Sequence, residues 1–141
     1  MIVNPLHIAD VAGERLRFFK SPLADGRPDL PWHSVDDLHC CLKLPPDLRL
    51  TLQRNAGRWT VKSVATAVGI DQIAPHYVAE AMISGAISIG LASANVEHAY
   101  MAASNQATRL LMASSGLTFA TDGWFNWMTR AMQRWRDVGV S

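Results

Sequence analysis

The chain has 141 residues, 49% of them apolar, with 13 Lys and Arg against 12 Asp and Glu and a formal net charge of +1. That apolar content suffices for one domain with its own core. The near-neutral balance excludes both a protein that grips phosphate by bulk positive charge and an acidic nucleic-acid mimic.

The two cysteines, Cys40 and Cys41, are adjacent. Neighbours in sequence bridge only under strain, so a reduced, cytoplasmic setting is expected. The first twenty residues lack a basic segment followed by an apolar one and do not read as a secretory signal. Val78 to Ala92, the longest weakly polar run, is interrupted by Glu80 and by Gly and Ser and falls short of the roughly 20 apolar residues a span requires, so no membrane partner is expected. Charge is unevenly placed. Residues 1–62 hold nine basic groups and seven acids, residues 63–108 no basic group and three acids, and residues 109–141 four basic groups and two acids. Lys and Arg are costly to bury unpaired, so the middle stretch is expected to be packed core or subunit contact.

In chain order, residues 6–10 and 16–20 read as two strands joined by a turn at Ala12, Gly13 and Glu14, with Leu16 and Phe18 on one face and Arg15, Arg17 and Phe19 on the other. Residues 21–32 carry three prolines and the Asp25-Gly26 turn signal, a loop of defined shape that re-enters the sheet near Leu30 to His33. Ser34, with Asp37 three residues later, caps a helix whose apolar face is Val35, Leu38, Cys41 and Leu42. Pro45 and Pro46 end it, and Pro46-Asp47 opens a second helix running to about Asn55. Trp59 to Val68 fits a strand or two, and Gly69-Ile70-Asp71 a turn. Helices follow over Pro75 to Ile89, from Ser93 to the Ser114-Ser115-Gly116 stop, and after Asp122, which is placed to cap the last. In that last helix Trp124, Trp127, Met128, Ala131 and Trp135 form one stripe, read as core or as a self-association surface. Arg130 and Arg134 lie off it, free to reach an acidic partner.

The expected fold is therefore α+β: a short amino-terminal antiparallel hairpin or small sheet packed with several helices, the carboxy-terminal half mainly helical. Residues 1–141 form a single compact domain, with a subdomain seam near 69–75.

Candidate chemistry is sparse. Asp36, His39 and Cys40 share a helix face and, with His33, offer oxygen, nitrogen and sulfur donors, but paired ligands at two separated places are missing, so no metal is expected. His76 and Glu80 stand four apart, a spacing at which a carboxylate orients an imidazole. No serine lies in a GxSxG setting, and no dinucleotide, Walker or EF-hand loop occurs, so neither a catalytic residue nor a small-molecule cofactor is assigned. Arg49, Arg54, Arg58 and Lys62 form a basic series interleaved with Trp59, and Arg15 and Arg17 line the early hairpin. These six are the candidates for contact with nucleic acid or an acidic partner.

The order of features resembles the amino-terminal domain of phage antirepressors, the Bro-N type. The carriers are the LRFFK segment ending at Lys20, the PWHSVDDLHCCLKL segment from Pro31, the PDLRLTLQR segment from Pro46, and the WMTRAM segment from Trp127. The resemblance implies packed roles for Trp32, Val35, Leu38 and Leu42. It implies a phage or mobile-element regulator that binds duplex DNA or a repressor-like protein, as a homo-oligomer, without catalysis. A protein-only adaptor or inhibitor, suggested by the neutral charge, and a small enzyme using His76, Glu80 or Cys40 are the alternatives.

Overall fold

The first hairpin shows how local chemistry sets the sheet. In a computed structural model that describes residues 1–54, 60–118 and 120–136, with the side chains of Gln53 and Arg54 left out, β1 (His7–Val11) pairs antiparallel with β2 (Glu14–Phe19) from His7 opposite Phe18 to Val11 opposite Glu14. The two-residue turn puts Ala12 at φ 57° and Gly13 at φ 82°, the left-handed pair whose twist matches that of the strands. Asp10 Oδ1 accepts the Gly13 N–H at 3.0 Å. β3 (Trp32–Ser34) pairs with β2, as the re-entry near Leu30 to His33 anticipates. β4 (Lys62–Thr66) and β5 (Gly69–Ala74) complete a five-stranded antiparallel sheet in the order β1-β2-β3-β5-β4. The turn between β4 and β5 falls at Ala67 and Val68, so Gly69, Ile70 and Asp71 are strand residues and not the expected turn.

The helices follow their caps and breakers. α1 (Val35–Cys41) begins where Ser34 Oγ accepts the Asp37 N–H at 3.2 Å, and α2 (Pro46–Arg54) opens on the proline. α3 (His76–Ser88) follows Pro75, and α4 (Ala94–Ser114) is the longest element at 21 residues. α5 (Trp124–Gln133) is capped by Gly123 in the left-handed region, with no side-chain bond, which corrects the expected Asp122 cap. The architecture is α+β, with the strands in the amino-terminal half and α3 to α5 filling the remainder. No described helix is long and apolar enough to cross a membrane.

Both sheet faces are covered. On one, Val11, Leu16 and Phe18 pack with Leu38, Cys41 and Leu42 of α1, Ala79 and Ile83 of α3, and Tyr100, Ala103 and Ala107 of α4. On the other, Phe19, Trp32 and Ile73 are covered by Val3, Leu23, Val64 and Trp135. The Val3 N–H donates to the Ala65 carbonyl at 2.7 Å, fixing the amino-terminal segment there. Each fully buried large side chain contributes roughly 1.5–3 kcal/mol.

Double coverage overturns the reading of Arg17 as a surface group. Leu16, Arg17, Phe18 and Phe19 are all buried in succession. Arg17 donates through Nε to Asp37 at 2.8 Å and through Nη1 and Nη2 to the two carboxylate oxygens of Asp71 at 2.9 and 2.8 Å. Asp71 also accepts the Thr66 hydroxyl, and Asp37 accepts the Arg17 backbone N–H. One guanidinium thus ties β2, α1 and β5 together. Its hydrogen bonds to Asp71 and then Asp37 hold its proton more tightly than usual, and Arg17 in turn holds the Asp71 carboxyl below its ordinary range.

Candidate functional site

The four basic candidates whose side chains are described, Arg15, Arg17, Arg49 and Lys62, do not lie on one surface. Arg17 is spent in the buried network. Arg49 donates Nε to the Leu44 carbonyl at 3.0 Å and an Nη to Cys40 Sγ at 3.8 Å, bracing the loop between α1 and α2. Arg15 and Lys62 are exposed, on β2 and on the edge strand β4. Arg58 and the Arg54 side chain lie outside the described residues.

A concavity lies elsewhere, between α3, α4 and α5, and has a volume of about 1020 Å³. Helical spacing builds each wall: His76, Glu80 and Ser84 from α3, Glu97, Met101, Ser104 and Thr108 from α4, and Met128, Ala131 and Met132 from α5, with Trp135 from the turn after it. The third wall is strapped down by the proline-rich loop. Arg134 pairs with Asp25, donates to the Arg27 carbonyl at 3.1 Å, and lies 3.7 Å from Asp29. Asp29 is buried and accepts from the indoles of Trp32, at 2.7 Å, and Trp135, at 2.9 Å. Trp135 meets Trp32 edge-on at 6.1 Å and Tyr77 at 5.7 Å. Trp135 is therefore a packing residue, and the acidic groups reached by Arg134 belong to its own chain.

The rest of the aromatic stripe is less enclosed. Ala131 is the one buried residue of α5, Trp124, Trp127 and Met128 are half-buried, and Phe125 and Met132 are 69% and 66% exposed.

The polar floor of the cleft is a three-residue chain. His76 Nδ1 lies 2.9 Å from the Tyr100 hydroxyl, and Nε2 lies 2.7 Å from Glu80 Oε1. One complementary arrangement has the Tyr100 O–H donating to Nδ1 and Nε2–H donating to Glu80. Full burial pushes the Tyr100 phenol well above its usual pKa, so it stays a donor. The His76 hydrogen bond lowers that of Glu80, keeping it a carboxylate. The His76 and Tyr100 rings stack with centroids 5.6 Å apart. Ser104 Oγ is 3.5 Å from the Nδ1 that Tyr100 already occupies. Proton abstraction from a bound group would require His76 to surrender one of its two partners.

The remaining sequence candidates are dispersed. His33 and His39 are buried, and burial lowers both pKa values, that of His33 to about 3. His33 Nδ1 has no hydrogen-bond partner among the described residues, and its ring meets Tyr100 edge-on at 6.5 Å. Both cysteines are free, and no group of three His, Cys, Asp or Glu among the described residues is placed to hold a metal. The His76–Glu80 spacing is visible in the sequence; Tyr100 and Ser104 are not recognisable there, because helical apolar spacing makes them core. The chain matches no protein-family model, no curated protein and no solved structure.

Proposed function

We propose that the chain is a small non-enzymatic regulatory binding protein of the phage or mobile-element kind, working in the cytoplasm, and that it acts by protein contact through the α3–α4–α5 cleft. One observation carries this: the cleft of about 1020 Å³ joins methionine and tryptophan walls to a fixed polar floor, a combination suited to side chains of a partner segment. Two free cysteines accord with a reducing compartment. The regulatory assignment draws on the resemblance of the segments around Leu16 to Lys20 and Pro31 to Leu44 to phage antirepressors.

Protein contact is favoured over duplex DNA because Arg17 and Arg49 are engaged within the chain and Arg15 and Lys62 stand on different strands. The test is site-specific photocrosslinking in the native host, with the reactive group at Ser84 in the cleft and, as control, at exposed Ala67. A discrete adduct from position 84 alone is the expected result, and equal labelling from both positions refutes the reading. Tight binding to random duplex DNA, lost steeply as salt rises, would reinstate nucleic acid as the partner.

A further inference from the structure

The chemistry of the cleft narrows the partner further, resting on the reading just given. Residues 63–108 contain three acids, Asp71, Glu80 and Glu97, and no Lys or Arg. Asp71 is consumed by Arg17 on the sheet. The other two line the cleft, one on α3 and one on α4. Glu80 keeps 57% of its side chain exposed although Oε1 accepts from His76. Glu97 is exposed and has no hydrogen bond or ion pair among the described residues. Arg136, just beyond α5, is the cation that lines the same cleft, so the α3 and α4 walls present two carboxylates and no countercharge of their own.

Met101 lies one turn beyond Glu97 on α4, and Met128 and Met132 come from α5; their flexible thioethers adapt to apolar side chains. We infer that the cleft receives a protein segment presenting Lys or Arg beside large apolar side chains, the cation paired with Glu80 and Glu97 and the apolar groups seated against the methionines. The match is one of charge and shape together. A purely apolar occupant would bury Glu97 without a partner and Glu80 with only His76, and an acidic one would meet both carboxylates on the α3 and α4 walls with Arg136 as the offsetting cation.

Selection of a random dodecapeptide display library on the immobilised full chain tests this. The expected winners carry Lys or Arg with Leu, Met or aromatic residues. Their binding falls by roughly two- to five-fold for each of Glu80→Gln and Glu97→Gln, more at low salt than at high. It is lost in Ser84→Trp, which fills the cleft. Glu97→Gln removes no bond among the described residues, so its result stands even if Glu80→Gln disturbs His76, and circular dichroism verifies the fold of each variant. Winners without cations that Ser84→Trp still abolishes would overturn the inference and leave the protein-binding cleft intact. The absence of winners, or winners indifferent to Ser84→Trp, would overturn both. Dimerisation in sedimentation, abolished by Ser84→Trp, would make a second copy the occupant and likewise overturn the inference.

Discussion

Replacing Arg17 with methionine should be among the costliest single changes in this protein, and the structure says why. The guanidinium side chain is 8% exposed and is shared by Asp37, 15% exposed, and Asp71, 9% exposed. Arg17→Met leaves two carboxylates in one enclosed volume without the cation that bonds them. Breaking a buried pair from one side costs about 3–5 kcal/mol, against total stabilities of roughly 5–15 kcal/mol for domains of this kind. Urea unfolding at pH 7, followed by tryptophan fluorescence and far-ultraviolet circular dichroism, measures the loss. The triple variant Arg17→Met, Asp37→Asn, Asp71→Asn should recover more than half of it, because the damage lies in the orphaned charges more than in the missing attraction. A loss below about 1 kcal/mol, the size of an exposed ion pair, would refute the reasoning.

Acid gives a second readout with a definite sign. In the native chain Arg17, and after it Thr66, holds the Asp71 carboxyl below its unfolded value of 3.8. That stabilisation is fully present above the unfolded value and is lost as pH falls through the lower folded one. In Arg17→Met burial acts on Asp71 without the cation and raises its folded value instead, so its neutral-pH penalty is relieved on acidification. The stability gap between the two proteins must therefore narrow from pH 7 toward pH 4. A constant gap contradicts the assignment.

Three further outcomes are expected. Asp29→Ala strips the acceptor from the buried indoles of Trp32 and Trp135 and should cost about 2–4 kcal/mol in urea unfolding, with red-shifted emission as Trp135 loosens; an unchanged spectrum argues against the strap. Tyr100→Phe removes the hydroxyl 2.9 Å from His76 Nδ1 and should cost about 0.5–1.5 kcal/mol in urea unfolding; an unchanged stability argues against that bond. Burial pushes the Cys41 thiol up to about 12, so an aromatic disulfide reagent at pH 8 should titrate no more than one thiol promptly, the second following global unfolding; two rapid thiols would refute this.

What could be read from the sequence was what short-range chemistry decides. The Ala12-Gly13 turn, the Ser34 cap and the Pro46 helix start each depend on residues within four positions. Arg17 was illegible for a different reason. Strand alternation assigns residues to two faces, and treating the Arg17 face as solvated requires that nothing cover it. Here Asp37 of α1 and Asp71 of β5 enclose the guanidinium, while Val3 from the amino terminus and Trp135 from beyond α5 pack on the Phe19, Trp32 and Ile73 cluster, and no periodicity in residues 14–19 signals any of these. The cleft floor divides the same way. His76 and Glu80 lie within one helix, whereas the Tyr100 hydroxyl arrives from another helix 24 residues away, on a side chain whose spacing speaks for core.

The stretch without Lys or Arg shows how one sequence feature can carry two causes. Burial accounts for part of it: Ile73, Val78, Ala79, Ile83, Tyr100 and Ala107 are interior. It does not account for Ala81, Ser84, Ser88, Asn95 and Ala102, which are exposed and where a lysine would cost nothing in desolvation. Helical propensity offers no reason either, since Lys and Arg suit exposed helix positions better than Ser or Asn. On α3 and the first half of α4 the missing cations are consistent with the proposed cationic partner. A lysine beside Glu80 or Glu97 would neutralise the carboxylate such a partner needs. Introducing one tests this directly: Ser84→Lys, four residues from Glu80 on the same helix face, should leave folding stability within about 0.5 kcal/mol of the native chain. It should nevertheless weaken cationic peptides more than Ser84→Gln does. Equal weakening by Lys and Gln would mean that the side chain's bulk matters and its charge does not.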